Sequence, residues 1–331
     1  MVHDVAQGLG SPLPPRSPHA KALRVGTYSL EPFECGYLPL LVYVVTHGVF
    51  PAISHYFLRK RGFVQSQDCG VLVWTEQQAL QRRAGGAAGA PIVLIHGIGV
   101  GLLPYMSLIR QLFEAERGPL ILIELPSISL RIWSHVPTRE ETVAVVRRAL
   151  NVIGHESGLM VGHSYGSLVS SWMLQLDPSI VSGSVLIDPV ALFLHRVDTL
   201  FSFIYAEREY RSIAGILRSC MFISLTLRRK FFWYKSVMWA EDVPKDVPSV
   251  VMLSMKDQSM PSDAVASYLE QNGYLTAEPV WCRGSDGPHL KPAETASGQG
   301  NAESATMRQG KARKVERIRR GDAGYAGVVC E

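Results

Sequence analysis

Six short apolar runs, separated by stretches with helical periodicity, constrain the fold of this 331-residue chain more than any other feature. Runs that are apolar at nearly every position are typical of strands buried on both faces of a sheet. Alternation of such strands with helices predicts an α/β fold with a mostly parallel central sheet flanked by helices. The runs are GVLVW (70–74), IVLI (92–95), PLILIEL (119–125), GLMVGHS (158–164), GSVLIDPV (183–190) and SVVMLSM (249–255).

A glycine-flanked serine lies where the fourth run meets the next helix. Gly162, Ser164 and Gly166 fit the pattern G-x-S-x-G, and the apolar stretch SLVSSWMLQ (167–175) follows directly. Such a strand-to-helix turn is tight, and flanking residues without a Cβ allow the serine to adopt a strained conformation with its hydroxyl projecting. The context predicts that Ser164 is a nucleophile rather than an ordinary serine between a strand and a helix.

A serine nucleophile needs a histidine base that is oriented by a carboxylate, and in this arrangement the order along the chain is serine, acid, histidine. Asp257 follows the last apolar run and is the first choice for the acid, with Asp188, directly after SVLI, as the alternative. Two histidines follow Ser164, namely His195 and His289. With Asp257 as the acid, His289 is the remaining histidine in the correct order.

The loop IVLIHGIGVG (92–101) is predicted to contribute to an oxyanion hole. The backbone N–H of Tyr165 supplies one donor, and the N–H of Ile98 is the expected second donor. Gly97 and Gly99 allow the backbone to approach a substrate closely. The glycine spacing does not match a dinucleotide-binding motif. His96 precedes the serine and is expected to be an orienting or core residue.

The N-terminal region contains a long uncharged segment. Residues 35–58 lack Asp, Glu, Lys and Arg, and the basic cluster RKR (59–61) follows. The segment is long enough to span a bilayer, but its two prolines and two histidines make a lipid-facing helix costly. Residues 35–61 are therefore expected to form a membrane anchor, spanning or on the surface, or else a buried helix pair. Residues 1–34 are expected to be mobile. Residues 1–20 lack a signal peptide pattern, which favours an intracellular protein that the segment 35–61 can associate with a membrane.

The remaining boundaries follow from composition. Residues 62–290 are predicted to form the catalytic domain, and the aromatic-rich stretch 191–248 is predicted to be a helical lid inserted into it. Residues 291–331 are polar and are expected to form a disordered basic tail with a transient helix over 305–320.

Charge and cysteine usage exclude some function classes. The net charge is +4, and residues 308–320 alone contribute +6, so the folded body has no basic face for nucleic acid. The five cysteines show no metal-ligand spacing, and no metal site is predicted.

Three of these segments, LIHGIGVG, VGHSYGS and MLSMKDQSMP, resemble the α/β-hydrolase superfamily, specifically its members with a serine nucleophile. The resemblance covers roughly residues 70–290. The segment PLLVYVVTHGVFP, with HGIGVGLLPYM and LIDPV, is similar to fungal α/β hydrolases that have an N-terminal helical extension. The resemblance implies an eight-stranded sheet, no cofactor and hydrolysis of an ester-like bond.

The sequence therefore predicts a serine hydrolase that cleaves an ester or thioester bond of a small hydrophobic acyl substrate. Two alternatives remain open at this stage. The chain turns polar directly after Leu290, where members of the family usually have a packed helix that follows the catalytic histidine. Without that helix His289 can be misplaced, and the protein would then be a catalytically impaired hydrolase fold that binds a small molecule or partner. It can also be an acyltransferase or cyclase that uses the same serine in a natural-product pathway.

Overall fold

The computed structural model describes residues 38–81, 89–133, 135–196, 199, 213–254, 262–276, 280–282 and 313–320. Ten strands in these residues form one sheet in the order β1-β2-β4-β3-β5-β6-β7-β10-β8, and β9 pairs with β10. The β1–β2 and β2–β4 pairs are antiparallel and the others are parallel. The strands are β1 Phe63–Asp68, β2 Val71–Glu76, β3 Ile92–Ile95, β4 Leu120–Glu124, β5 Gly158–His163, β6 Val181–Ile187, β7 Ser249–Ser254, β8 Leu275–Thr276, β9 Val280–Cys282 and β10 Arg313–Arg320.

Helices connect these strands as the sequence periodicity predicts, and the α/β fold with a mostly parallel sheet flanked by helices is confirmed. The start of α4 illustrates the local rules, because the Thr138 hydroxyl accepts from the Glu141 N–H while the Glu141 carboxylate accepts from the Thr138 N–H. The helices are α1 Leu40–Lys60, α2 Gln77–Gln81, α3 Met106–Glu114, α4 Arg139–Val152, α5 Tyr165–Leu176, α6 Ile213–Ser219, α7 Met221–Leu225 and α8 Ser262–Gln271.

The central strands are buried on both faces because alternate side chains enter two different apolar clusters. Val93 and Ile95 of β3 pack in the cluster that contains residues of α4, α5 and α8, whereas Ile92 and Leu94 pack in the cluster that contains residues of α1 and α3. This arrangement explains why the strand sequences are apolar throughout rather than alternating.

The uncharged N-terminal segment forms α1, which is a single helix with a π-helical turn at Val44–Val49. Within that turn the Phe50 N–H bonds to the Val45 carbonyl, five residues earlier. The next residue, Pro51, has no N–H to donate to a carbonyl four residues earlier, which favours a local change from α-helical to π-helical hydrogen bonding. Among the described residues, α1 is the helix that is long and apolar enough to cross a bilayer.

The basic tail differs from the prediction in part. The sequence predicts disorder over residues 291–331 with a transient helix, whereas residues 313–320 form β10, paired in parallel with β7. The physical reason is that β7 presents a row of backbone N–H and C=O groups on this side, and pairing with them makes little demand on side-chain type. Composition alone therefore underestimates the order of this stretch.

Candidate active site

Ser164 lies at the turn between β5 and α5 in a conformation that few non-glycine residues adopt. Its backbone angles are φ 52° and ψ −114°, a conformation that is strained for any residue with a Cβ. The Ser164 N–H donates to the Ile187 carbonyl at 2.8 Å, which ties the turn to the end of β6. The Ser164 side chain makes no capping hydrogen bond to α5, so the hydroxyl is not used to satisfy the helix N-terminus.

Both glycines of the motif are required by close packing around this turn. A Cβ on Gly162 would lie 2.5 Å from the Gly166 carbonyl oxygen, and a Cβ on Gly166 would lie 2.2 Å from the Ile95 carbonyl oxygen. These distances are shorter than any tolerated contact. The spacing of the two glycines is thus explained by the packing of α5 against β5 and β3.

The loop after β3 passes directly over Ser164. A Cβ on Gly97 would lie 3.0 Å from Ser164 Cβ, whereas a Cβ on Gly99 would meet no atom within 4 Å. The N–H groups of Gly97 and Gly99 are already bonded, to the Tyr105 hydroxyl at 2.9 Å and the Ile128 carbonyl at 3.1 Å respectively. The Ile98 N–H donates to no group among the described residues.

A hydrogen-bonded chain that the sequence reasoning missed joins this loop to the turn. The Tyr105 hydroxyl accepts from the Gly97 N–H and forms a hydrogen bond with His163 Nδ1 at 2.6 Å. His163 Nε2 faces an Asp188 carboxylate oxygen at 3.9 Å. The sequence gives no signal for this chain, because Tyr105 and His163 are 58 positions apart.

His96 is fully buried and acts as a fixed structural element. Its Nε2 accepts from the Leu125 N–H at 2.9 Å, so its proton is on Nδ1, which lies 2.7 Å from the Gly97 carbonyl oxygen. Burial lowers the pKa of His96, although the hydrogen bond to the Gly97 carbonyl opposes this shift. The neutral imidazole therefore braces the loop that carries Ile98.

Asp188 directly follows β6 and bridges the ends of two strands. Its φ is 46°, its N–H donates to the Met252 carbonyl at 2.8 Å, and its carboxylate accepts from the Ser254 N–H at 2.6 Å. The side chain is buried. Asp188 thus has a clear structural role in addition to facing His163.

The ends of β3, β5, β6 and β7 lie together because these strands are parallel neighbours in the sheet. They bring the Gly97 loop, Ser164, Asp188 and Ser254 to one edge of the sheet, as expected for a site in an α/β protein. Among the described residues, no group of three or more His, Cys, Asp or Glu side chains is arranged to hold a metal ion.

Residues 92–297 match the model of the alpha/beta hydrolase family, which covers more than half of the chain. The chain belongs to the α/β-hydrolase family. No curated protein matches its sequence.

Solved structures similar to this α/β hydrolase include a bacterial membrane phospholipase A, with 12% identity, 84% of this chain and 86% of that chain covered, and a TM-score of 0.45. Naproxen esterase from Bacillus subtilis is 11% identical, and the match covers 84% of this chain and 91% of the esterase, with a TM-score of 0.43. The 2-hydroxy-6-oxo-6-phenylhexa-2,4-dienoate hydrolase from Rhodococcus sp. strain RHA1 is 16% identical, and the match covers 63% of this chain and 86% of that hydrolase, with a TM-score of 0.42.

The first-choice acid and base of this α/β hydrolase, Asp257 and His289, both lie outside the described residues. Asp257 comes three positions after the end of β7. The other histidine, His195, stacks on the Trp239 ring with 4.8 Å between ring centroids. Burial, followed by the charge of Arg196, lowers the pKa of His195.

Residues 213–248, which belong to the predicted insertion at 191–248, pack on Tyr165, the residue after Ser164. The Phe231 ring lies 5.7 Å from the buried Tyr165 ring, and the Thr226 hydroxyl donates to the Ser127 carbonyl at 2.9 Å. Burial raises the pKa of Tyr165. Tyr165 is therefore buried against an aromatic side chain of this stretch.

Proposed function

We propose that this α/β hydrolase is a serine hydrolase that cleaves an ester or thioester bond of a hydrophobic acyl substrate through an acyl-enzyme intermediate. The observation that carries the proposal is Ser164, which adopts a strained positive φ at the N-terminus of α5 with the Gly97 loop directly above it. A serine that only connected a strand to a helix would gain nothing from this strain.

In the proposed mechanism, Ser164 Oγ attacks the carbonyl carbon of the substrate while His289 takes the hydroxyl proton. Asp257 orients His289 and stabilises its positive charge. The N–H groups of Tyr165 and Ile98 stabilise the negative oxygen of the tetrahedral intermediate, and the N-terminus of α5 adds to this stabilisation. The intermediate collapses, His289 donates its proton to the leaving group, and water hydrolyses the acyl-enzyme by the same steps.

Two features support a hydrophobic acyl group and a lid function for the insertion at 191–248. Ile98, in the loop above Ser164, packs against two apolar clusters, and Phe231 packs on Tyr165, the residue after Ser164. Burial of an acyl chain against such side chains is favourable in proportion to the apolar area removed from water.

Covalent labelling with a fluorophosphonate probe tests the proposal, because the probe requires an activated serine and an oxyanion hole. We expect Ser164→Ala to abolish labelling and Ser171→Ala, which removes a buried hydroxyl from the same helix, to retain it. His289→Ala should slow labelling by about a thousandfold or more, whereas His195→Ala should not. Labelling that persists in Ser164→Ala would overturn the proposal.

The same assay separates the two candidate acids. Asp257→Asn should slow labelling by about a thousandfold or more, since it removes the charge that orients the base. Asp188→Asn keeps an oxygen that accepts from the Ser254 N–H and should leave labelling nearly unchanged. The reverse result would assign the acid to Asp188. A folded wild-type protein that is never labelled would instead favour a binding protein, and transfer to an added alcohol in preference to water would favour an acyltransferase or cyclase.

A further inference from the structure

Helix α1 has a mixed polar and apolar side toward the protein and a largely apolar side toward solvent. Against the domain, the Thr46 hydroxyl donates to the Leu130 carbonyl at 2.8 Å, and His55 Nε2 donates to the Glu124 carboxylate at 3.1 Å. Leu58 is fully buried on the same side. The exposed side chains of α1 before its basic end are mostly apolar, although His47 is also exposed. The apolar ones include Leu40, Leu41, Val44, Ile53, Tyr56 and Phe57.

The solvent side of an ordinary surface helix is polar, whereas most of the exposed side chains of α1 are apolar. Exposed apolar stripes of this kind mark surfaces that bind a partner or a membrane. Charge identifies the occupant. Arg59, Lys60 and Arg61 end the helix, and residues 35–61 contain no acidic residue that could pair with them.

In a dimer formed through two copies of this apolar face, the basic cluster of each copy would meet no acidic residue of the other α1. Anionic lipid headgroups provide the missing negative charge, and Tyr56 and Phe57, beside the basic cluster, suit the boundary between headgroups and acyl chains. We propose that α1 docks this protein in the plane of an anionic membrane surface, with its outward apolar face inserted below the headgroups.

The contacts of α1 with the domain favour docking in the plane over spanning. A spanning helix would have to leave the domain, which would break the contacts of Thr46 and His55 and expose three polar side chains, Thr46, Ser54 and His55, to hydrocarbon. It would also remove a hydrogen-bond partner from the buried carboxylate of Glu124. The helix therefore fits a surface-bound position.

The docked helix also reaches the proposed active site. Leu38, Val42 and Tyr43 share one apolar cluster with Ile98, the proposed oxyanion donor, and with residues 216–227 of the insertion. The Tyr43 and Phe222 rings are 6.5 Å apart. If the proposed function holds, on which this step rests, the membrane surface presents acyl substrates that are dissolved in lipid to the site.

Flotation of the full-length protein with vesicles tests the docking. Wild-type protein should bind vesicles of phosphatidylcholine with phosphatidylserine, bind phosphatidylcholine alone at least about tenfold more weakly, and be released by alkaline carbonate. The double variant Val44→Asp/Ile53→Asp should bind at least about tenfold more weakly than wild type. The matched control is Ile132→Asp/Leu176→Asp, two apolar residues outside α1. Val44 and Ile53 are 54% and 40% exposed, and Ile132 and Leu176 are 50% and 40% exposed, so both double variants place two charges at similarly exposed positions.

Each other outcome overturns the proposal. Retention after carbonate would indicate a spanning helix, and a dimer in lipid-free solution that the Val44/Ile53 variant dissociates would indicate a second copy as the occupant. Equal loss of binding in the control pair, or no binding by wild type, would remove the membrane role.

Probe labelling of Ser164 in lipid-free solution distinguishes failure of the docking from failure of the hydrolase function. The Val44/Ile53 variant should label normally in solution. It should hydrolyse a long-chain ester in vesicles at least about tenfold more slowly than wild type, and a soluble short-chain ester at the wild-type rate.

Discussion

At the scale of single residues, packing constrains two glycines near Ser164, Gly166 and Gly99, to very different degrees. Gly166 is required by packing, since a Cβ there would lie 2.2 Å from the Ile95 carbonyl oxygen, whereas a Cβ on Gly99 would meet no atom within 4 Å. The sequence motif predicts the first requirement, because G-x-S-x-G contains it. It does not distinguish glycines that pack tightly from glycines that leave room.

We expect Gly166→Ala to lower the free energy of unfolding by about 3 kcal/mol, at the upper end for overpacking, because the Cβ meets rigid backbone. Gly99→Ala should change the free energy of unfolding by less than about 0.5 kcal/mol, since its Cβ meets nothing within 4 Å. Urea denaturation of both variants measures the difference. Equal stabilities would show that the turn between β5 and α5 relaxes without cost.

Helix α1 and strand β4 meet, at the scale of elements, through a buried charged cluster. Glu124 lies at the end of β4 with no exposed area, and its carboxylate accepts from Trp74 Nε1 at 3.0 Å, from His55 at 3.1 Å and from Arg131. Burial raises the pKa of Glu124, but the hydrogen bond from His55 and the charge of Arg131 outweigh it and hold the pKa at about 2.

This cluster makes the stability of the protein depend on pH. The pKa of Glu124 is depressed from 4.5 to about 2, so its contribution is complete above pH 4.5 and is lost as the pH falls toward 2. A shift of this size corresponds to about 3 kcal/mol. Because Glu124→Gln does not titrate, the difference in unfolding free energy between wild type and this variant should shrink by about that amount between pH 6 and pH 2.

Urea denaturation across this pH range provides the measurement, and Asp177→Asn provides the control. Asp177 pairs with Arg147 at a partly exposed position, and exposed pairs contribute at most about 1 kcal/mol. A wild-type pH dependence that matches that of Glu124→Gln would contradict the assignment.

The elements themselves were predictable to different degrees. The strands β2 to β7 and the turn at Ser164 follow from apolar runs and glycine spacing, which are local signals. The docking of α1 does not, because its partners are distant in sequence: His55 and Glu124 are 69 positions apart. The apolar length of α1 is visible in the sequence, whereas the side of the helix that packs on the domain is not.

At the scale of the whole molecule, the basic tail again shows that contacts between distant parts of the chain are not visible in the sequence. Strand β10 lies between β7 and the short strands β8 and β9, so it joins the C-terminal part of the sheet to the rest. Its sequence is strongly basic, a composition that predicts disorder. Backbone pairing, which depends little on side chains, decides its position, so composition is a poor guide there.

Removal of β10 should therefore weaken the whole sheet. A chain that ends at residue 312 leaves that side of β7 without its partner strand, whereas a chain that ends at residue 320 retains β10 in full. We expect the shorter chain to unfold at a temperature at least about 5 °C lower, equivalent to about 2 kcal/mol for a domain of this size. It should also form oligomers through the open strand edge. Calorimetry and light scattering of the two chains measure both effects, and identical behaviour would show that β10 contributes nothing to the stability of the sheet.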